Sequence, residues 1–142
     1  MQIINISGLY NVSPQISVTD IELLSEKGFE KIICNRPDFE VPPNFQSNVI
    51  KKVAAEIGLL FEYHPLTFEN MYAENIEKQM AFIEESKSPV LAYCTSGTRS
   101  AAIWALGQIG KMPKEEILKT TLESGYNPVS YTHLTLPTMR LV

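Results

Sequence analysis

"VLAYCTSGTRSAAIWALG", Val90 to Gly107, is the stretch that decides the reading of this chain. It opens on an apolar run of buried-strand type that ends at Tyr93 and Cys94. It then crosses Thr95, Ser96, Gly97 and Thr98, and closes on an apolar helix beginning near residue 98. A cysteine beside a glycine, three hydroxyl-bearing residues and an arginine is poor core chemistry and good anion chemistry. Gly97 permits a positive φ, so successive backbone N–H groups can turn inward as an anion nest at a helix N-terminus. The helix dipole adds roughly half a positive charge there. Arg99 adds a planar, permanently charged fork that can grip an oxyanion at two points. Together these features can lower a cysteine pKa from about 8.5 to a range of ~3.5–7.5. Cys94 is therefore expected to be a thiolate above a pocket for an oxyanion or a sulfur group, with Ser100 placed to donate a hydrogen bond to the thiolate or a leaving group.

Upstream, strand-like and helix-like segments alternate. "KIIC" (Lys31 to Cys34) is a short apolar strand that breaks at the proline-rich loop "NRPDFEVPP" (Asn35 to Pro43). "LLFEYH" (Leu59 to His64) reads as a second buried strand, and "PVLAYC" (Pro89 to Cys94) as the third. Helices are expected from Ser17, with Asp20 completing a capping box and Gly28 ending it; from Asn44 or Ser47 to Gly58; over 70–86; over 98–110; and from Pro113 to about Gly125. Met1–Ile6 and Leu9–Val12 are short and suit sheet edges. Three strand–helix alternations predict an α/β fold of three layers, a central mainly parallel sheet with helices on both faces. In such sheets ligands bind beyond the carboxyl ends of the strands, so the loops after Cys34 and after Tyr93 matter most.

Composition sets the limits. A chain of 142 residues suits one core, and 44% hydrophobic with 20% charged residues fits a globular protein. A net charge of −4 argues against nucleic acid or an anionic membrane as partner, because both call for a basic face. No apolar run is long enough to span a bilayer, the N-terminus lacks a signal-peptide pattern, and two distant cysteines form no disulfide framework, so a cytoplasmic setting is expected. Neither a metal site nor a cofactor is readable, since Cys34, Cys94 and His64 lack ligand spacing. The stretch "PVSYTHLTLPTMRLV" from Pro128 has no helical period and no acidic residue, and resembles translated sequencing-adapter read-through. The expected organisation is one catalytic domain over residues 1–127 and a non-native tail over 128–142.

From Ile6 to about Asn127 the chain resembles the beta-lactamase hydrolase-like protein, phosphatase-like domain family, a group with a protein tyrosine phosphatase-like fold. The resemblance rests on "GFEKIICNRPD" (Gly28 to Asp38), on the strand leading to "YHPL" (Tyr63 to Leu66) and on "VLAYCTSGTRS" (Val90 to Ser100). It implies that Cys94 is a nucleophile, that residues 95–99 cradle the anion, and that Asn35, Arg36 and Asp38 lie beside it. The metallo-hydrolase-like domain to which such domains can be fused would need zinc-ligand histidines, which this chain lacks. The loop departs from tyrosine phosphatases proper, which carry five residues between cysteine and arginine. Four stand here, the count of rhodanese-type sulfurtransferases, whose loop also reads C-x-x-G-x-R.

Two enzymatic readings therefore stand side by side: phosphatase-like hydrolysis through a cysteinyl-phosphate, and sulfur transfer through a Cys94 persulfide. The substrate would be a small anion, a sulfane-sulfur donor or a phosphoprotein. A third reading is an inactive module that binds anions or partner proteins. A phosphatase needs an acid for its leaving group. The loop "PLTFENMYAEN" (Pro65 to Asn75) holds no aspartate, which leaves Glu69, or Asp38 in the proline-rich loop, as candidates. His64 ends a strand on the ligand side and could contact substrate, and Arg36 could add a second positive charge at the pocket mouth. Cys34 could approach Cys94 if their strands adjoin.

Overall fold

The computed structural model describes residues 1–126. The expected tail from residue 128 lies outside them. Five strands form one sheet: β1 (Ile4–Ser7), β2 (Tyr10–Ser13), β3 (Lys31–Cys34), β4 (Leu60–Tyr63) and β5 (Val90–Tyr93). Their spatial order is β1-β2-β5-β3-β4, with β1 antiparallel to β2 and every other pairing parallel. Five helices cover it: α1 (Val18–Glu26), α2 (Ser47–Ile57), α3 (Ala73–Glu84), α4 (Thr98–Gly107) and α5 (Lys114–Glu123).

The period-2 alternation of the central strands divides the core between two faces. Ile32, Leu91 and Tyr93 pack with Ile21 and Leu24 of α1 and Ile50 of α2. Val12, Ile33 and Ala92 pack on the other face with Met80 of α3, Trp104 of α4 and Ile117 of α5. The result is the three-layer α/β fold expected. The helix boundaries follow local chemistry. Asp20 accepts the Ser17 N–H at 2.9 Å at the start of α1, and Gly58 ends α2 at φ +102°, a conformation that costs a glycine little. No helix among the described residues is long and apolar enough to cross a membrane.

Two strands sit differently from expectation. β2, assigned to an edge, is internal and wholly buried. Its polar residues are satisfied in place: Asn11 donates to the Leu9 and Val90 carbonyls, and Ser13 to the Pro14 carbonyl. β4, read as buried, is the other edge, with Leu60 63% exposed. Its apolar run is half spent on solvent because only β3 pairs with it.

Candidate active site

Strands β2, β5 and β3 end together, and the segment Cys94–Thr98 leaves β5 at the centre of that edge. Gly97 takes φ +91°, the left-handed region, and caps α4. In this conformation its N–H points at Cys94 and donates to the sulfur at 3.1 Å. The thiol is 1% exposed. It therefore sits at a helix N-terminus with a backbone donor upon it. The loop is braced from beneath. Gln15 N–H donates to the Thr95 carbonyl at 3.4 Å, and Tyr126 Oη donates to the Ser96 carbonyl at 3.2 Å. A Cβ on Gly97 would run into the Tyr126 ring, so glycine is required twice over.

Arg99, one residue into α4, has all four terminal N–H groups in use. Nη1 donates to Glu40 Oε2 at 2.9 Å and to the Leu66 carbonyl at 2.8 Å; Nη2 donates to Glu40 Oε1 at 2.8 Å and to Thr95 Oγ1 at 2.9 Å. Glu40 stands on a single 3₁₀ turn, Asp38–Glu40, in the proline-rich loop. The hydrogen bonds from Arg99 hold its carboxyl below the ordinary glutamate range; partial burial opposes them, and the charges of Arg99 and Arg36 reinforce them. Partial burial works against the Arg99 charge, but Glu40 and the adjoining Cys94 sulfur hold the guanidinium above its ordinary value.

Over this pair opens a cleft of about 640 Å³. Ser96, Thr98 and Arg99 form one wall; Phe39, Glu40, Thr67, Phe68 and Glu69 form the rest. Phe39 is 83% exposed at its mouth.

The other expected site residues divide. Glu69 is exposed on the cleft wall. Arg36 stands beside Glu40, its Nε 3.7 Å from Oε1, while its terminal nitrogens donate to Gln15 Oε1 and the Glu40 carbonyl at 3.0 Å. Asp38 accepts the Ser47 N–H and the Ser47 hydroxyl, both at 2.7 Å, and so serves as a tertiary cap for α2. Asn35 and His64, expected at the substrate, are instead buried behind the loop. Asn35 donates to the His64 carbonyl and to Gln79 Oε1, and accepts from Gln79 Nε2 and from the Ser100 hydroxyl at 2.8 Å. His64 Nδ1 pairs with Gln79 Oε1 at 2.7 Å. The Ser100 proton, expected on the thiolate or a leaving group, is thus given to Asn35. Every acceptor and donor of the Asn35 amide is filled, which is what allows it to be fully buried. Cys34 is a free thiol packed in the α1/α2 face, donating to the Arg36 carbonyl at 3.3 Å, and burial pushes it up to about 11.

Glu40 went unnoticed in the sequence. The signal was present: an acid four residues after Arg36, in a turn bounded by prolines, directly after a parallel strand. Nothing local says that this turn folds back onto a residue 59 positions away.

A family model for "Beta-lactamase hydrolase-like protein, phosphatase-like domain" matches residues 3–111. The chain is 27% identical over 119 residues to a "Beta-lactamase hydrolase-like protein" from Agrobacterium fabrum, covering 82% of this chain and 28% of that protein. It thus spans little more than a quarter of the length of the curated relatives it matches. A crystal structure named a "putative phosphatase" from Neisseria meningitidis superposes with a TM-score of 0.80 at 31% identity, covering 89% of this chain and 91% of that one. The structure of PTPMT1, at 16% identity and a TM-score of 0.71 over 94% of this chain and 92% of that one, shares the fold.

Proposed function

The chain belongs to that phosphatase-like domain family, and on this premise we propose that it hydrolyses phosphate monoesters through a covalent intermediate on Cys94. The observation that carries the proposal is the Gly97 N–H on the Cys94 sulfur at 3.1 Å, with Arg99 set at the same loop. Cys94, the Gly97 N–H and the Arg99 guanidinium all lie at one end of the sheet, which supports this reading.

In the first step the Cys94 thiolate attacks phosphorus in line. The S–P bond forms as the ester P–O bond breaks, and the loop amides and Arg99 stabilise the equatorial oxygens. The departing oxygen needs a proton. Glu69, exposed on the cleft wall, is the better donor, because both Asp38 oxygens are committed to Ser47. In the second step water attacks phosphorus and gives a proton to the Glu69 carboxylate, the S–P bond breaks, and phosphate leaves with the thiolate and the acid restored. Asn35, Ser100 and His64 act as positioning residues that fix β3, β4 and α4 behind the loop. The substrate is a small phosphoryl anion or a phosphoprotein side chain.

One observation favours a second reading. The four-residue loop between Cys94 and Arg99 makes a small pocket, suited to a terminal sulfur, and persulfide formation with sulfite as leaving group needs no acid. Two assays run in parallel on the wild type and Cys94→Ser decide between them: p-nitrophenyl phosphate hydrolysis, and thiocyanate formation from thiosulfate and cyanide. Release of nitrophenol alone, lost in Cys94→Ser, is the expected result. Thiocyanate alone would assign sulfur transfer. Neither product would leave an anion- or partner-binding module.

A further inference from the structure

The site already contains an oxyanion, and it is part of the chain. The Glu40 carboxylate fills the Arg99 fork through two parallel bonds of 2.8 and 2.9 Å, the geometry that two phosphoryl oxygens would take. With Leu66 and Thr95 on the remaining N–H groups, the terminal nitrogens of Arg99 have nothing left to offer a substrate. A second seat for the carboxylate stands next to the first. Arg36 Nε is buried, has no hydrogen-bond partner, and lies 3.7 Å from Glu40 Oε1. A buried donor left unpaired is costly. Rotation of the Glu40 side chain toward Arg36 would satisfy it and free the Arg99 fork in one movement.

The charge inside the cleft then limits what can enter. Arg99 is the one cation among the described residues that line it, against Glu40 and Glu69. A single phosphoryl group can replace Glu40 on Arg99. A second anionic group on the same substrate would face the Glu40 carboxylate with no cation on the cleft wall to receive it.

Resting on the reading of the Cys94 loop as an oxyanion site, we propose that Glu40 is its specificity-determining residue. It is an internal competitor that yields Arg99 to one oxyanion, moves toward Arg36, and from the cleft wall excludes substrates that carry further negative charge. The substrates that fit are singly phosphorylated and otherwise neutral or cationic.

The test measures binding, so that it does not depend on turnover. Phenyl phosphate and 4-carboxyphenyl phosphate are titrated calorimetrically into the Cys94→Ser chain and into the same protein with Glu40→Gln or Glu40→Ala. In Cys94→Ser the carboxylated ester is expected to bind about tenfold more weakly than phenyl phosphate. Both Glu40 variants should tighten phenyl phosphate by about tenfold and bring the two esters to within about threefold of each other. Weaker or unchanged phenyl phosphate binding in both variants would show that Glu40 anchors Arg99 rather than competing for it, and would overturn the proposal. So would equal binding of the two esters to Cys94→Ser. Failure of either ester to bind any of the three proteins would instead overturn the oxyanion reading on which the proposal rests.

Discussion

At the scale of single residues, the site depends on positions where one atom more or less changes the outcome. Gly97 is the clearest. Its φ of +91° costs a residue with a Cβ roughly 1–2 kcal/mol, and that Cβ would also strike Tyr126. Gly97→Ala is expected to turn the residue 97 N–H off the Cys94 sulfur and to lower kcat about a hundredfold, the scale at which single oxyanion donors act. Steady-state kinetics beside a melting curve would show whether activity falls with the fold intact; unchanged kcat would remove the loop amide from the mechanism. Cys34 gives a pH signature of its own. Burial raises its thiol from the ordinary 9.0 to about 11, so the folded state keeps a proton that the unfolded chain releases first. Its contribution to stability is whole below about pH 9 and declines as pH rises toward about 11. Urea midpoints taken from pH 8 to 11 should fall for the wild type and fall less for Cys34→Ala, after correction for the variant's lower starting stability.

Elements carry the next level, and here Asp38 and Glu69 separate. Asp38 bonds the backbone and side chain of Ser47 at the first turn of α2, the work of an N-cap delivered from nine residues away. Asp38→Ala is expected to cost about 1–2 kcal/mol of stability with kcat within about threefold of wild type. Glu69→Gln should do the reverse, leaving the melting temperature alone while lowering kcat by about a hundredfold on alkyl phosphates, whose leaving groups need a proton. Loss of turnover in Asp38→Ala at full stability would return the acid role to Asp38. Most elements were legible in the sequence, because their caps and periods are local. Ser17 with Asp20, Gly58 after α2 and the apolar run of β5 state their roles within a few residues. The strand positions were less legible. Whether "YNVS" lies inside a sheet or at its edge depends on the partners of Asn11 and Ser13, which the folded chain supplies from elsewhere.

For the whole molecule, one buried polar network ties the layers together behind the loop. Gln79 of α3 joins Tyr10 of β2, Asn35 after β3 and His64 after β4, while Asn35 holds Ser100 of α4. Gln79→Leu would strip partners from three buried groups and is expected to cost about 3 kcal/mol or more, read from urea unfolding. A loss under about 1 kcal/mol would mean that water or rearrangement replaces them. The same network explains why the site was only partly legible. Cys94, Gly97 and Arg99 lie in one short motif whose chemistry follows from spacing. Asn35, Ser100 and His64 look equally functional in the sequence, and only tertiary burial shows their polar atoms spent on one another. Glu40 is the converse, easily passed over in the sequence and central in space.

The central claim is that Cys94 itself takes the phosphoryl group. It is tested most directly by acid-quenching the protein during incubation with p-nitrophenyl phosphate, followed by intact-mass measurement and peptide mapping. The result expected is the mass of one phosphoryl group added at Cys94 and absent in Cys94→Ser. Turnover with no such adduct, or an adduct on any other residue, would contradict the account.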